Sequence, residues 1–447
     1  MYRRLRHTQR RLLSLRHWRI RLVFWLGALL LGAFAAGFAL IATFADKSFH
    51  RLVEALPYAA LLLPPAGLVA VAWLTKRYFP NADGSGIPQA IAALKIKHEH
   101  QRSKLLSLRI AFGKILLTTL GLSCGASIGR EGPTVHIGVA IMTSLGKLAR
   151  FPPQVLERGL ILAGGAGGIA AAFNTPLAGI LFAVEEMSRS FDERSNGTIL
   201  VTVLLAGITA LSILGNYTYF GTTNASLVFS ADWLAVPTCG VIGGLLGGMF
   251  SALLIYGARR IAPFARRRPL ALAAMCGAGI SLLGLLSGGL TYGTGYQEAH
   301  GVVTGTDTLP VAYFFMKMLA TLVSYLSGIP GGIFAPSLAS GAALGADLAA
   351  WFPSTPAEAI VILGMVAYFT GVVQTPITAF VIIMEMTQNQ AMLLPLIATA
   401  LIAYSVSKIV CPEAIYRALA KNYLGHETPP PETPPPPPPA AEPPRAP

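Results

Sequence analysis

The chain has 447 residues, of which 53% are hydrophobic and 12% charged, and its mean hydropathy is +0.59. Soluble domains carry about 25% charged residues, so a soluble globular protein is excluded. The net charge of +14 sits in short loops beside apolar stretches, which makes it a matter of membrane topology and gives no nucleic-acid partner.

At least eight stretches approach the roughly 20 apolar residues that a spanning helix needs, from Leu22–Ala45 through Leu393–Val410. No alternation of ten-residue strands suggests a barrel, and open sheets cannot cross lipid because their edges would stay unpaired. The expected fold is an all-α polytopic membrane protein. In chain order, residues 1–21 hold eight arginines and no acid ahead of an apolar run of 24, too long for a signal-peptide core. The positive-inside rule puts this terminus in the cytoplasm, together with the basic stretch Lys95–Arg109 and with Arg259, Arg260 and Arg266 to Arg268. Residues 22–424 form the membrane domain. Residues 425–447 form a tail with twelve of the 32 prolines, expected to be extended and disordered. The four cysteines stand singly and give neither a disulfide framework nor a metal pair.

An internal repeat organises the membrane domain. Phe112-Gly-Lys-Ile-Leu-Leu-Thr lies over Phe315-Met-Lys-Met-Leu-Ala-Thr at an offset of 203, which pairs Lys114 with Lys317. Gly129-Arg-Glu-Gly-Pro133 falls on Gly332-Ile-Phe-Ala-Pro336 at the same offset, and Thr175-Pro176 with Glu185 match Thr375-Pro376 with Glu385 at an offset of 200. Two homologous halves, about 50–215 and 232–411, are the reading. Transporters built this way place their substrate at the midplane, between broken helices. The residues alone leave open whether the repeats run parallel or inverted.

Three interruptions break the apolar sequence: Gly84-Ser-Gly-Ile-Pro88, Gly129-Arg-Glu-Gly-Pro133 and Gly328-Ile-Pro-Gly-Gly-Ile-Phe-Ala-Pro336. Glycine followed by proline marks a helix start. Such a start offers unpaired N–H groups and a partial positive charge, which suits an anion. Gly240, Gly244 and Gly248 at spacing four are instead a close helix contact.

Ionisable residues inside lipid are functional by default. Glu131 stands at a helix start that would bind an anion, so proton and anion compete through its side chain. The plainer reading is a helix cap or a partner for Arg130. Glu185 has a counterpart in Glu385 and so a shared structural duty. Glu186 faces Met386 in the repeat, and an acid present in one half is the better functional candidate, although both could be acids at the membrane surface. Lys114 and Lys317 are duplicated and read as structural or snorkelling residues. Gly121-Leu-Ser-Cys-Gly125 fits a hydrolase elbow only as a decoy, because it lies in an apolar helix. No metal, nucleotide or other cofactor motif is present.

With these motifs in their order, the chain resembles the CLC family of chloride channels and chloride/proton antiporters, over about Ala45–Leu424. The resemblance implies an inverted-repeat fold with broken, tilted and re-entrant helices, and a homodimer in which each subunit has its own pathway. It implies a chloride site made by Ser85, Gly129, Arg130, the N–H groups of Ile333 and Phe334, and the Tyr416 hydroxyl. Glu131 becomes the external gate and proton acceptor, and Glu186 the internal proton-transfer group. An acid at position 186 implies an antiporter exchanging chloride for protons; a passive chloride channel is the alternative. Ser85 implies chloride over nitrate, and the absence of nucleotide-binding domains implies a bacterial inner-membrane protein with both termini cytoplasmic.

Overall fold

The computed structural model describes residues 15–149, 156–188, 196–215, 218–227 and 229–424. The arginines from Arg3 to Arg11 and the proline-rich tail lie outside them. The fold is all-α and multi-pass. Among the described residues seven helices are long and apolar enough to cross a membrane, fewer than the eight or more stretches expected, because several apolar runs fold as shorter helices.

The first half holds α1 (Leu15–Ala55), α2 (Ala59–Tyr78), α3 (Ile87–Lys95), the short α4 (Glu99–Ser103), α5 (Leu108–Leu122), α6 (Glu131–Leu148), α7 (Leu156–Phe173), α8 (Pro176–Phe182) and α9 (Asn196–Leu214). The second holds α10 (Ala235–Arg267), α11 (Pro269–Leu286), α12 (Tyr296–Val303), α13 (Tyr313–Leu326), α14 (Phe334–Ala349), α15 (Ala357–Val373), α16 (Pro376–Thr387) and α17 (Leu393–Val410). A last short helix, α18 (Ile415–Ala420), follows. In element order the long α1 stands where the long α10 stands in the second half. The featureless apolar sequence of α1 hid that match. Its helix also reaches back over Arg16, Arg19 and Arg21, which therefore belong to α1 and not to a separate basic segment.

Helix lengths follow from local sequence. At 1.5 Å per residue the 41 residues of α1 extend about 60 Å, twice the hydrocarbon thickness, so α1 runs obliquely or projects beyond the bilayer. The nine residues of α3 and eight of α12 reach little more than 10 Å and cannot cross. Thr-Pro pairs start α8 and α16, each with proline in the first turn. Each pair follows a residue in the left-handed region, Asn174 (φ 58°) or Gln374 (φ 59°), that ends the preceding helix.

The expected glycine contact is present on α10. A Cβ on Gly244 would stand 2.6 Å from the Ala403 carbonyl oxygen, and one on Gly240 2.8 Å from Ile402, so this stripe lies against α17. Gly243 and Gly247 lie equally close to Ala367 and Tyr368 on α15. Without side chains between them, the three helix backbones approach closely, which is how packing stabilises helices inside lipid.

The halves meet through reciprocal contacts. Glu185 accepts from the N–H groups of Ile377 (3.1 Å) and Thr378 (2.7 Å) at the start of α16, while Glu385 accepts from those of Leu177 (3.1 Å) and Ala178 (2.9 Å) at the start of α8. Each half thus caps a helix of the other, the pattern that a two-fold relation produces. The structural duty expected of the Glu185–Glu385 pair is this one.

Candidate functional site

The repeat brings its glycine-rich interruptions to one place. Gly129 and Gly332 form an antiparallel bridge, each N–H donating to the other's carbonyl at 2.7 Å. Gly84 pairs with the adjoining segment, its N–H donating to Ile329 O and its carbonyl accepting from Gly331 N–H, both at 3.1 Å. Three helix N-termini, of α3, α6 and α14, therefore converge at the junction of the halves. Gly86 (φ 104°) opens α3 in a conformation that favours glycine. A Cβ on Gly132 would meet Ser85 Oγ at 2.1 Å, so glycine there leaves room for the serine hydroxyl.

Two buried lysines hold the flanking loops. Lys114 Nζ donates to the carbonyls of Asp83 (3.0 Å) and Gly84 (2.6 Å). Lys317 Nζ donates to those of Thr291 (3.0 Å), Tyr292 (3.2 Å) and Gly293 (2.9 Å). Their structural reading stands. Their common duty also exposes a loop that the motifs missed: Gly293-Thr-Gly295 repeats Gly84-Ser-Gly86, down to left-handed glycines at both ends. Its offset is 209 and not 203, and no proline follows, so an ungapped comparison passed over it.

Glu131 is the first residue of α6 and has no exposed surface. Its Oε1 accepts from the Tyr219 hydroxyl at 3.0 Å, and its Oε2 accepts from Ala335 N–H at 3.4 Å. Its carboxylate thus takes one N–H donor from the start of α14, the other half's re-entrant helix. The first intrahelical bond of α14 runs from Ser337 N–H to the Ile333 carbonyl, so the N–H groups of Ile333 and Phe334 have no partner within the helix. Ser85 Oγ and the Tyr416 hydroxyl face each other; both are fully buried, and neither has a well-formed hydrogen bond. Buried hydroxyls are normally satisfied. Ser85 Oγ lies against Gly132 at the start of α6 and the Tyr416 ring lies beside Phe334 at the start of α14, so two unsatisfied hydroxyls near helix starts suit one small anion.

Glu186 is 2% exposed and, like Glu131, within electrostatic reach of Tyr416. It lies in a π-helical turn, Ala183–Ser188, that continues α8, whereas the equivalent stretch of α16 stays a regular helix. In both halves the adjacent side chains diverge: Glu185 reaches the start of α16 while Glu186 is buried, just as Glu385 reaches the start of α8 while Met386 is buried. The counterpart Met386 is buried and apolar.

Two expected ligands are placed otherwise. The Gly129 N–H is taken by Gly332 and is not available to an anion. Arg130 turns its side chain outward, donating to the Ala39 carbonyl (2.7 Å) and Thr43 Oγ1 (3.1 Å), and lines a cavity of about 510 Å³ with Lys47, Asp46, Tyr219 and Thr294. On the other side, a cavity of about 960 Å³ is lined by Lys76, Arg259, Arg266 and Lys421, with Asp83 and Tyr325 toward Ser85. A wide mouth with basic residues thus stands on each side of a narrow, blocked middle.

Residues 66–408 match the sequence profile of the family described as voltage gated chloride channel. The H(+)/Cl(-) exchange transporter ClcA of Yersinia pestis bv. Antiqua (strain Angola) is 30% identical over 401 residues, 84% of this chain and 81% of that one. The protein of the same description from Vibrio parahaemolyticus serotype O3:K6 is 32% identical over 369 residues, 79% of this chain and 78% of its own. Among solved structures, a slow cyanobacterial Cl-/H+ antiporter superposes with a TM-score of 0.78 at 27% identity, covering 92% of this chain and 99% of that chain. A CLC-type fluoride/proton antiporter superposes with a TM-score of 0.75 at 25% identity, over 91% and 99%.

Proposed function

The chain belongs to the voltage-gated chloride channel family, and from that premise we propose that it is a secondary active Cl⁻/H⁺ antiporter rather than a passive channel. The observation that carries the reading is the seat of Glu131, a carboxylate held against the N-terminus of α14 where a transported anion would pass. Chloride rests between Ser85 Oγ, the Tyr416 hydroxyl and the N–H groups of Ile333 and Phe334. While ionised, Glu131 closes the path above it. When protonated, it no longer competes for N–H donors, leaves its seat and lets chloride through.

Glu186 serves as the inner proton donor and acceptor. Both acids lie within electrostatic reach of Tyr416, so chloride beside it would lie where the proton path and the anion path adjoin. Arg130 and the basic residues of the wide cavities concentrate anions at each mouth by their field. The cavity with Arg259 and Arg266 opens to the cytoplasm of a bacterial inner membrane, by the charge bias of its loops. Both termini lie on that side, and the working unit is a homodimer. Cross-linking in membranes checks the dimer.

Proteoliposomes fitted with chloride and pH electrodes test the exchange. Wild type drives protons uphill against a chloride gradient, Glu131→Gln passes chloride without protons, and Glu186→Ala keeps chloride movement while losing most proton movement. A wild-type reversal potential that stays at the chloride equilibrium value under a pH gradient would identify a channel.

A further inference from the structure

Tyr219 belongs to neither half. It lies in the connector after α9, has no counterpart in the repeat, and is 2% exposed. Its hydroxyl donates to Glu131 Oε1 at 3.0 Å. Its ring is fixed edge-on by Phe173 at the end of α7 (5.4 Å), by Tyr296 at the start of α12 (5.2 Å) and by its own neighbour Phe220 (4.9 Å). The Arg130 guanidinium lies over the same ring at 5.8 Å and is itself anchored to α1 through Ala39. A hydroxyl on a ring held by four side chains meets the carboxylate with little further loss of freedom. It also lines the cavity beside Arg130, so it stands between that mouth and the gate.

We propose that Tyr219 is a positioning residue for the exchange reaction, a latch that holds ionised Glu131 in its seat and sets the pH at which the seat is vacated. This rests on the reading of Glu131 as the gate. A hydrogen bond donated to a carboxylate favours the charged form. Without it, Glu131 takes up a proton at lower proton concentration and the path opens at higher pH. The latch is asymmetric, reaching the gate from the outer side only, and therefore adds a control that the symmetric helix ends cannot supply.

The test uses the full chain in liposomes, with chloride efflux followed across a pH series. Tyr219→Phe keeps the ring packing and removes the donor. The expected result is an efflux profile displaced by about one pH unit toward the alkaline side, the size of losing one charge-assisted bond. The same substitution on Glu131→Gln, which has no carboxylate to hold, leaves efflux unchanged. An unmoved profile in Tyr219→Phe overturns the latch, and so does an equal change of efflux in both backgrounds, which assigns the tyrosine to packing. Proton coupling that survives Glu131→Gln removes the gate reading itself and the latch with it. That result is distinct from the two that remove the latch alone.

Discussion

Replacing Glu185 with glutamine separates the duties of two adjacent acids. Glu185 accepts three hydrogen bonds from the start of α16: Ile377 N–H at 3.1 Å, Thr378 N–H at 2.7 Å and Thr378 Oγ1 at 2.8 Å. Bonds to a charged group contribute about 1.5–3 kcal/mol each, and neutral ones about 0.5–1.5 kcal/mol. Glutamine keeps the shape but offers a single acceptor oxygen. Facing Thr378, it retains two neutral bonds and turns an NH₂ against the Ile377 N–H. Taking the lower ends of these ranges, the expected loss is about 3 kcal/mol. Thermal unfolding in detergent, followed by size-exclusion at one heating rate, reads this as a transition several degrees lower, because such unfolding is commonly irreversible. Glu385→Gln loses less, because Glu385 accepts two bonds and not three. Transport per folded protein stays coupled in both variants. Wild-type thermal stability in Glu185→Gln would refute the capping argument, and a loss of proton coupling at unchanged stability would move Glu185 into the proton path.

Other outcomes follow from the same geometry. Lys317→Met leaves three buried carbonyls without their donor, at a cost of about 3–5 kcal/mol; a yield of folded protein in detergent equal to wild type would contradict this. Ser85→Ala and Tyr416→Phe each remove one donor to the anion. Each should weaken chloride binding about tenfold in isothermal titration, and unchanged affinity in the double variant would remove both from the site. At the C-terminal end, the Glu413 carboxyl is held below its usual range, first by Lys421 and then by Arg259. Its contribution is therefore present at neutral pH and lost as the pH falls below that range. Glu413→Gln should mimic the acid state at pH 7, with faster amide exchange in α18. The effect stays under about 1 kcal/mol because both partners are more than half exposed, and high salt abolishes it.

The parts of this fold that were legible in the sequence are those where lipid leaves few chemical choices. A lysine, a Thr-Pro or a glutamate inside an apolar run is rare enough to mark a position, so the duplication, the convergence of helix starts and the split between Glu185 and Glu186 could be read directly. Where residues are interchangeable the signal vanishes. Nothing in α1 distinguishes its leucines and alanines from those of α10, so its place in the element order emerged only in space. Gly129 shows a different limit: a glycine before a helix start advertises a free N–H, but the partner strand that consumes it lies 203 residues away. Arg130 likewise stands next to the gate in sequence and points to α1 in space. Tyr219 had no motif to announce it, because its role comes from a ring packed by distant segments.

The peptide stitching around the throat has a consequence for motion. Gly129 with Gly332, and Gly84 with Ile329 and Gly331, join the two halves by four main-chain bonds. Rocking one half against the other about a hinge, as many carriers do, would tear all four apart where no water replaces them, at about 1–3 kcal/mol for every orphaned group. The frame is thus riveted at its narrowest ring. Whatever alternates during a turnover has to be small, a swinging side chain or the shift of a peripheral segment, and the bilayer feels almost none of it.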